Sequence, residues 1–118
     1  MKNIFGSFVF RNEGDGCLTS KYINNGMTGP LTECSKLQTE AGNDKFIGNY
    51  FSVWLDTPRV ISNSSLEISK SPANAFYDLL WKNSKKTPIY GGQGMLFGDL
   101  LVGCYWSYDL DHIVHSNK

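Results

Sequence analysis

Four side chains with metal-binding chemistry lie close together near the C-terminus: Asp109, Asp111, His112 and His115. Carboxylate oxygens and imidazole nitrogens both bind metal ions, but a site requires ligands that converge on a firm scaffold with supporting contacts. These residues belong to a polar terminal tail, and the ends of a chain are usually poorly ordered. We therefore expect no specific metal site, and no sequence motif predicts a cofactor.

Nucleophilic catalysis requires a serine or cysteine beside a base that is itself held in place. Cys17 is a candidate nucleophile, but both histidines of the chain lie in the tail, and no Gly-x-Ser-x-Gly motif is present. Glu13 and Asp15 are neighbouring carboxylates. Acid–base catalysis needs two carboxyl groups in different environments, whereas turn carboxylates are normally solvated. The residue types therefore favour a protein without catalytic activity.

Three glycines lie close together in the segment Gly91-Gly92-Gln93-Gly94. The segment is superficially similar to a phosphate-binding loop, but the Lys-Ser/Thr pair of such loops is missing and no helix follows. Glycines inside a strand instead indicate a bend, a bulge, or aromatic rings that pack over bare backbone. We therefore interpret this segment as part of a strand.

Aromatic residues make up 14% of the chain, and they suit the half-buried surface of a β-sheet. Ligand cavities are mostly apolar with a few placed polar groups. Large aromatic side chains also dominate core energetics, so the same rings would serve simply to fill a small barrel. Both interpretations stay open for six residues at strand spacing, which are our candidates for ligand binding: Tyr50, Trp54, Tyr77, Trp81, Tyr90 and Tyr105.

The charge balance limits the classes of partner. Lys plus Arg number 11 and Asp plus Glu number 11, so the net charge is zero. Nucleic acids and anionic membranes both attract a basic excess, and we expect neither as a partner. A neutral chain also lacks long-range self-repulsion, which makes a homodimer an option.

The cysteines and the N-terminus bear on the compartment. The apolar run at the N-terminus is too short for a signal peptide, and the count of three cysteines is odd. Both observations favour free thiols in the cytoplasm, with a Cys17–Cys34 disulfide as the alternative for an exported chain. Cys104 lies in a dense apolar run and is expected to be buried.

Hydrophobic alternation and turn residues divide the chain into about eight strands within a single domain. We assign residues 1–45 to an N-terminal hairpin region, 46–107 to a meander that closes a barrel, and 108–118 to the polar tail. The last hairpin turns at Gly98-Asp99, a two-residue loop that matches strand twist. Pro58 and the Asn and Ser residues after it predict a loop over residues 56–64.

Residues 71–83 admit two interpretations. Ser71-Pro72 is a typical helix start, and apolar residues at helical spacing follow it. The alternation of Tyr77, Leu79 and Trp81 instead predicts a strand with these three side chains in the core. We favour the strand, because hairpin partners precede and follow it.

About eight strands joined by short turns predict an all-β fold, a single antiparallel up-and-down β-barrel that removes exposed edges by closing on itself. A barrel of this size is just wide enough to be filled by side chains or to hold one small ligand.

Residues 46–107 contain a series of strand motifs: Gly48-x-Tyr50, Trp54, Leu66-x-Ile68, Tyr77-x-Leu79-x-Trp81, Tyr90-x-Gly92-x-Gly94 and Gly98-Asp99. This series resembles small bacterial lipocalin-like β-barrel proteins of uncharacterised function. The resemblance implies a lipocalin-like barrel with a calyx that takes an apolar or aromatic ligand.

These observations predict a non-enzymatic protein that binds a small apolar or aromatic molecule. The alternative is a protein–protein interaction or regulatory module, a homodimer included, because Tyr and Trp suit an interface. An enzyme that acts inside the barrel is least favoured, since the candidate acids and bases lie on turns or in the tail.

Overall fold

The computed structural model describes residues 3–39, 44–57, 60–73 and 75–108, and it contains eight β-strands within them. No helix in these ranges has the length and apolarity needed to cross a bilayer. The strands, in chain order, are β1 (Phe5–Gly14), β2 (Cys17–Asn24), β3 (Leu31–Leu37), β4 (Gly48–Thr57), β5 (Val60–Lys70), β6 (Tyr77–Lys82), β7 (Pro88–Phe97) and β8 (Leu100–Ser107).

The eight strands form one closed antiparallel barrel, in which each strand pairs with its neighbours along the chain. At the seam, β8 returns to pair with β1 and places Phe8 opposite Gly103 and Phe10 opposite Leu101. Closure removes the free strand edges that an open sheet would present. The predicted eight-stranded up-and-down barrel is therefore confirmed.

Side chains alternate between the barrel interior and its outer face, as the period of a strand requires. In β6, Tyr77, Leu79 and Trp81 are buried, while the residues between them are partly exposed. Residues 77–82 thus form a strand with the predicted inward face. The strand interpretation of this region is confirmed over the helix.

The hairpin formed by β4 and β5 is longer than its sequence suggests. β5 begins at Val60, so the loop predicted over residues 56–64 is wrong. Leu55 of β4 pairs with Ile61 of β5, and Ser64 points into the barrel, where it is buried. Serine and asparagine favour turns locally, but Ser64 has a small side chain that fits a crowded barrel interior, while Asn63 is exposed on the outer face. The packing of the inward residues determines the strand here.

The three cysteines are free, and Cys104 is exposed rather than buried. Cys104 lies on the outer face of β8, opposite Ser7 of β1, because its neighbour Tyr105 takes the inward position. In a closed barrel, every second residue of a strand faces outward even where the apolar run is continuous. The expectation that Cys104 is buried is therefore wrong, and Cys17 and Cys34 do not form a disulfide.

One end of the barrel, where β1, β3, β5 and β7 finish, is closed by an aromatic side chain. We call this end the base. Phe46 is buried there and packs edge-on against Tyr77, with 6.5 Å between ring centroids. The interior above it is filled by residues that are 0–2% exposed: Phe10, Leu18, Leu66 and Leu101.

Hydrogen bonds to Asp44 hold the base together. Its Oδ1 accepts from the backbone amides of Phe46 and Ile47 at 2.8 and 3.0 Å, and its Oδ2 accepts from the Tyr77 hydroxyl at 2.8 Å. Tyr50 donates from its hydroxyl to the Phe46 carbonyl oxygen at 2.8 Å. Partial burial raises the pKa of Asp44, but these hydrogen bonds and a nearby lysine charge outweigh burial and lower the pKa below its usual value. Burial, together with the Asp44 charge, raises the pKa of Tyr50 and of Tyr77 to about 12.

Glycines allow β7 and β8 to approach each other closely. A Cβ atom at Gly103 would overlap the Gln93 carbonyl oxygen on β7. A Cβ atom at Gly92 would lie 3.3 Å from the Trp81 ring and 3.4 Å from the Phe8 ring. Among the interpretations of the glycine cluster, aromatic rings packed over bare backbone is therefore confirmed.

Gly103→Ala is expected to destabilise the barrel by more than about 2 kcal/mol, because the added methyl group would overlap backbone within the β7–β8 ladder. Urea denaturation followed by circular dichroism measures the change. Gly29→Ala is the matched control, since no atom lies within 4 Å of its added methyl group. We expect it to leave the free energy of unfolding unchanged or slightly higher. Equal effects of the two substitutions would contradict the close approach of the strands.

Candidate functional site: an aromatic cavity with a buried carboxyl group

The end of the barrel opposite the base, where β2, β4, β6 and β8 finish, contains a cavity of about 100 Å³. We call it the mouth cavity. Met27, Leu31 and Leu55 contribute apolar surface, and Asn24 and Glu33 contribute polar groups. This composition is typical of small-molecule sites, which are mostly apolar with a few polar groups. Most of the wall consists of six aromatic side chains: Phe8, Tyr22, Trp54, Trp81, Tyr90 and Tyr105.

Strand register brings these residues together from distant parts of the chain. Directly paired residues of antiparallel strands project to the same side of the sheet and contact each other. Each pair of cross-strand partners in the cavity wall therefore supplies two adjacent side chains to the cavity. The paired residues are Phe8 with Tyr22, Glu33 with Trp54, and Trp81 with Tyr90.

Glu33 is the one acidic residue among the described residues that line the cavity. It is 5% exposed, and its Oε2 accepts a hydrogen bond from Trp81 Nε1 at 2.8 Å. Burial raises the pKa of Glu33 to about 7, although hydrogen bonds from Trp81 and Ser52 act in the opposite direction. Within the described residues, no basic side chain forms an ion pair with Glu33. When this carboxyl group ionises, its charge has no protein counter-ion there.

Tyr105 lies at the centre of the aromatic wall. Its ring centroid is 6.1 Å from that of Trp81, 5.9 Å from that of Tyr90 and 6.2 Å from that of Tyr22. Asn24 donates from Nδ2 to the Tyr105 hydroxyl at 2.9 Å. Burial raises the pKa of Tyr105, so the hydroxyl stays neutral. Edge-on and tilted contacts of this kind are favourable for aromatic pairs, and they fix the rings in place.

Serines occupy the interior beside the cavity on β2 to β5. The hydroxyls of Ser35 and Ser52 are 2.6 Å apart and form a hydrogen bond. Ser64 Oγ is buried without a hydrogen-bond partner in the described part of the chain. An eight-stranded barrel leaves little interior space, so small side chains on these strands face the large rings of β1, β6 and β8. The buried serines are Ser20, Ser35, Ser52 and Ser64.

Four of the six residues predicted to bind a ligand line the mouth cavity together: Trp54, Trp81, Tyr90 and Tyr105. The other two, Tyr50 and Tyr77, lie at the base, where their hydroxyls bond to Phe46 and Asp44. Their burial and hydrogen bonds give them a structural role in closing the barrel. Ligand contact stays a prediction for all six residues.

The sequence patterns did not single out Glu33, Phe8 or Tyr22. In β3, Glu33 shares its inward parity with Leu31, Ser35 and Leu37, so a carboxyl group on a face of apolar and small residues was the available signal. The strand that holds Phe8 carries apolar residues on both faces, and alternation alone could not assign its inward side. These three residues complete the site that the aromatic pattern indicated in part.

The other sequence candidates do not contribute to the mouth cavity. Cys17, Glu13 and Asp15 lie on or beside the β1–β2 turn, at the base. In the ranges that the structure describes, no three His, Cys, Asp or Glu residues are grouped to hold a metal ion. The tail residues considered as metal ligands lie outside the described residues: Asp109, Asp111, His112 and His115.

Ionisation of Glu33 is expected to lower the stability of the barrel as the pH rises. Its folded-state pKa of about 7 lies above the ordinary value of 4.5. The stabilising contribution of the protonated carboxyl is therefore complete below the ordinary pKa and is lost as the pH rises through the folded-state value. The expected loss between pH 5 and pH 8 is about 2 kcal/mol. Glu33→Gln keeps an oxygen for the Trp81 indole and should remove this loss.

Urea denaturation at the two pH values measures the effect. Glu67→Gln is the matched control, because Glu67 is partly exposed and forms an ion pair with Lys82 at 2.9 Å. This control should keep the pH dependence of the unsubstituted chain. If Glu33→Gln kept it as well, a different group would be responsible for the titration.

Comparison of the chain with protein families, with curated proteins and with solved structures gives no match.

Proposed function

We propose that this protein binds a small molecule in the mouth cavity and does not act on it chemically. The observation that carries the proposal is a cavity walled by six aromatic side chains at one end of a closed barrel. Lipocalins are likewise up-and-down barrels of eight strands that hold one small ligand. The shared architecture supports a lipocalin-like mode of binding.

The size of the cavity supports a compact ligand. Sites for drug-sized molecules have volumes of roughly 300–1,000 Å³, whereas an engineered cavity of about 150 Å³ holds benzene. The mouth cavity, at about 100 Å³, suits a molecule or a headgroup of only a few heavy atoms. Its preformed wall lowers the entropic cost of binding such a ligand.

The chemistry of the lining supports binding rather than catalysis. Among the described lining residues, Glu33 is the one acid, and none is a Ser, Cys, Lys or His that would act as nucleophile or base. Covalent or acid–base catalysis usually requires at least one oriented partner for such a group. The three free cysteines fit a reducing compartment, which is consistent with the cytoplasmic location that we propose.

Tryptophan fluorescence should report ligand entry, because Trp54 and Trp81 line the cavity. We expect small aromatic and apolar ligands to change the emission of the protein with saturable dependence on concentration. Trp106→Phe is the matched control, since Trp106 is 38% exposed and lies on the outer face; this variant should keep the response. Leu31→Phe adds volume inside the cavity and should raise the Kd about tenfold or more. A panel without any response in the Trp106→Phe chain would contradict the proposal.

A second candidate function is self-association through an apolar patch near the base. Met95, Leu96 and Phe97, at the end of the last hairpin, are 55%, 49% and 71% exposed, and Phe76 nearby is 48% exposed. Large exposed apolar patches often mark protein–protein contacts. A net charge of zero offers no long-range repulsion between two copies.

Sedimentation velocity over a range of protein concentrations tests this second candidate. A dimer through the patch should dissociate when Phe97→Ser removes its most exposed ring. Leu55→Ser, at the mouth, is the control for removal of an exposed apolar side chain elsewhere and should leave the dimer intact. A monomer at every concentration would exclude the homodimer.

A further inference from the structure

We propose that the mouth cavity is selective for a methylated ammonium group, with Glu33 as its counter-ion and the aromatic rings as its cage. This inference rests on the proposed function and names the class of ligand for the same site. It follows from three properties of the lining, namely its charge, its rings and its volume.

The charge of the lining is one-sided. Among the described residues around the cavity, Glu33 contributes a negative charge when ionised, and no Lys, Arg or His contributes a positive one. A buried carboxylate without a cation is strongly unfavourable, and the neutral hydrogen bonds from Trp81 Nε1 and from Ser52 compensate only in part. A ligand cation would supply the missing positive charge, whereas a neutral apolar ligand would leave the carboxyl group as it is.

The rings favour a cation in the same place. The faces of aromatic rings are negative, and they attract a cation within about 6 Å of the ring centroid, tryptophan most strongly. Trp54 is paired directly with Glu33 across β3 and β4, and Trp81 donates its hydrogen bond to the same carboxyl group. Two indole rings therefore flank the acid, with Tyr90 and Tyr105 completing the wall.

Volume and polarity select a methylated group over a bare ammonium ion. The cavity of about 100 Å³ admits only a compact headgroup. A primary ammonium is strongly hydrated and gives up that hydration reluctantly, while methyl groups present apolar surface to a wall that is itself apolar. Recognition of quaternary ammonium by an aromatic cage uses the same two contributions.

Binding of the cation is coupled to ionisation of Glu33. Burial raises the pKa of this carboxyl to about 7 in the free barrel, and a bound cation would favour the ionised form. Cation affinity should therefore decrease as the pH falls below 7. Among the described lining residues, the strands packed around Glu33 present no other carboxyl group and no imidazole, amino or guanidinium group. β1, β4 and β6 contribute Phe8, Trp54 and Trp81, and β2, β7 and β8 contribute Tyr22, Tyr90 and Tyr105.

A matched pair of probes tests the proposal by isothermal titration calorimetry. Choline carries a trimethylammonium group, and 3,3-dimethylbutan-1-ol is its uncharged analogue, with carbon in place of nitrogen. We expect choline to bind at least about tenfold more tightly than the alcohol to the unsubstituted chain at pH 8. Glu33→Gln should reduce this preference by weakening choline binding, because the rings alone then attract the cation, and Glu67→Gln, on the outer face, should keep it in full.

Four other results of these measurements would contradict the proposal or a part of it. Equal affinities, or tighter binding of the alcohol, would overturn the selectivity for a cation while the proposed function stands. The same holds if neither probe binds but a neutral aromatic ligand still quenches tryptophan fluorescence. A choline preference that is undiminished in Glu33→Gln would overturn the counter-ion role. Failure of every ligand, neutral or charged, would remove the proposed function and this inference together.

Discussion

The interior of this barrel depends on the hydrogen bond between the Trp81 indole and the Glu33 carboxyl, 2.8 Å long, which joins β6 to β3. An apolar residue in place of Glu33 would leave the indole N–H buried without an acceptor, at a cost of roughly 1–3 kcal/mol. The acid avoids that cost but introduces another, because its own charge is buried without a counter-ion. A barrel optimised only for stability would fill this position with paired or apolar groups. Under the proposed function, a bound cation would supply the missing counter-ion.

The rest of the interior follows from a steric constraint. Eight strands enclose a space that side chains just fill, so large residues on one side require small ones opposite. Phe8, Trp81 and Tyr105 supply the volume from β1, β6 and β8, while Gly92 leaves bare backbone beneath two of these rings. Buried serines take the corresponding positions on β2 to β5. The mouth cavity lies beside Glu33, where the large rings and the small side chains opposite them leave part of the interior unfilled.

The fold could be predicted because its signals are local. Alternation in residues 77–81 and the Gly98-Asp99 turn each reflect the geometry of a few neighbouring residues, and short connections between strands leave few topologies. The first half of β5 escaped prediction because serine favours turns locally, and only the crowded interior makes it a good strand residue there. Glu33 escaped for a related reason: its partner Trp81 is 48 residues away, and no short-range pattern shows that the two side chains meet. The aromatic residues of the site could therefore be predicted from the sequence, and its acidic residue, Glu33, could not.

The carboxyl groups at the two ends of the barrel have pKa values that are shifted in opposite directions. At the base, Asp44 accepts three hydrogen bonds, which together with a nearby lysine charge lower its pKa, so the ionised carboxylate stabilises the closed end. At the mouth, hydrogen bonds from the Trp81 indole at 2.8 Å and from Ser52 do not outweigh burial, so the pKa of Glu33 is raised to about 7 and its ionisation opposes folding. Natural chains depart from local consistency mainly at functional sites, where the free energy of binding offsets the strain. The contrast between two carboxyl groups in one small barrel agrees with the binding site that we propose at the mouth, because a bound cation would stabilise the ionised Glu33 as the hydrogen bonds stabilise Asp44 at the base.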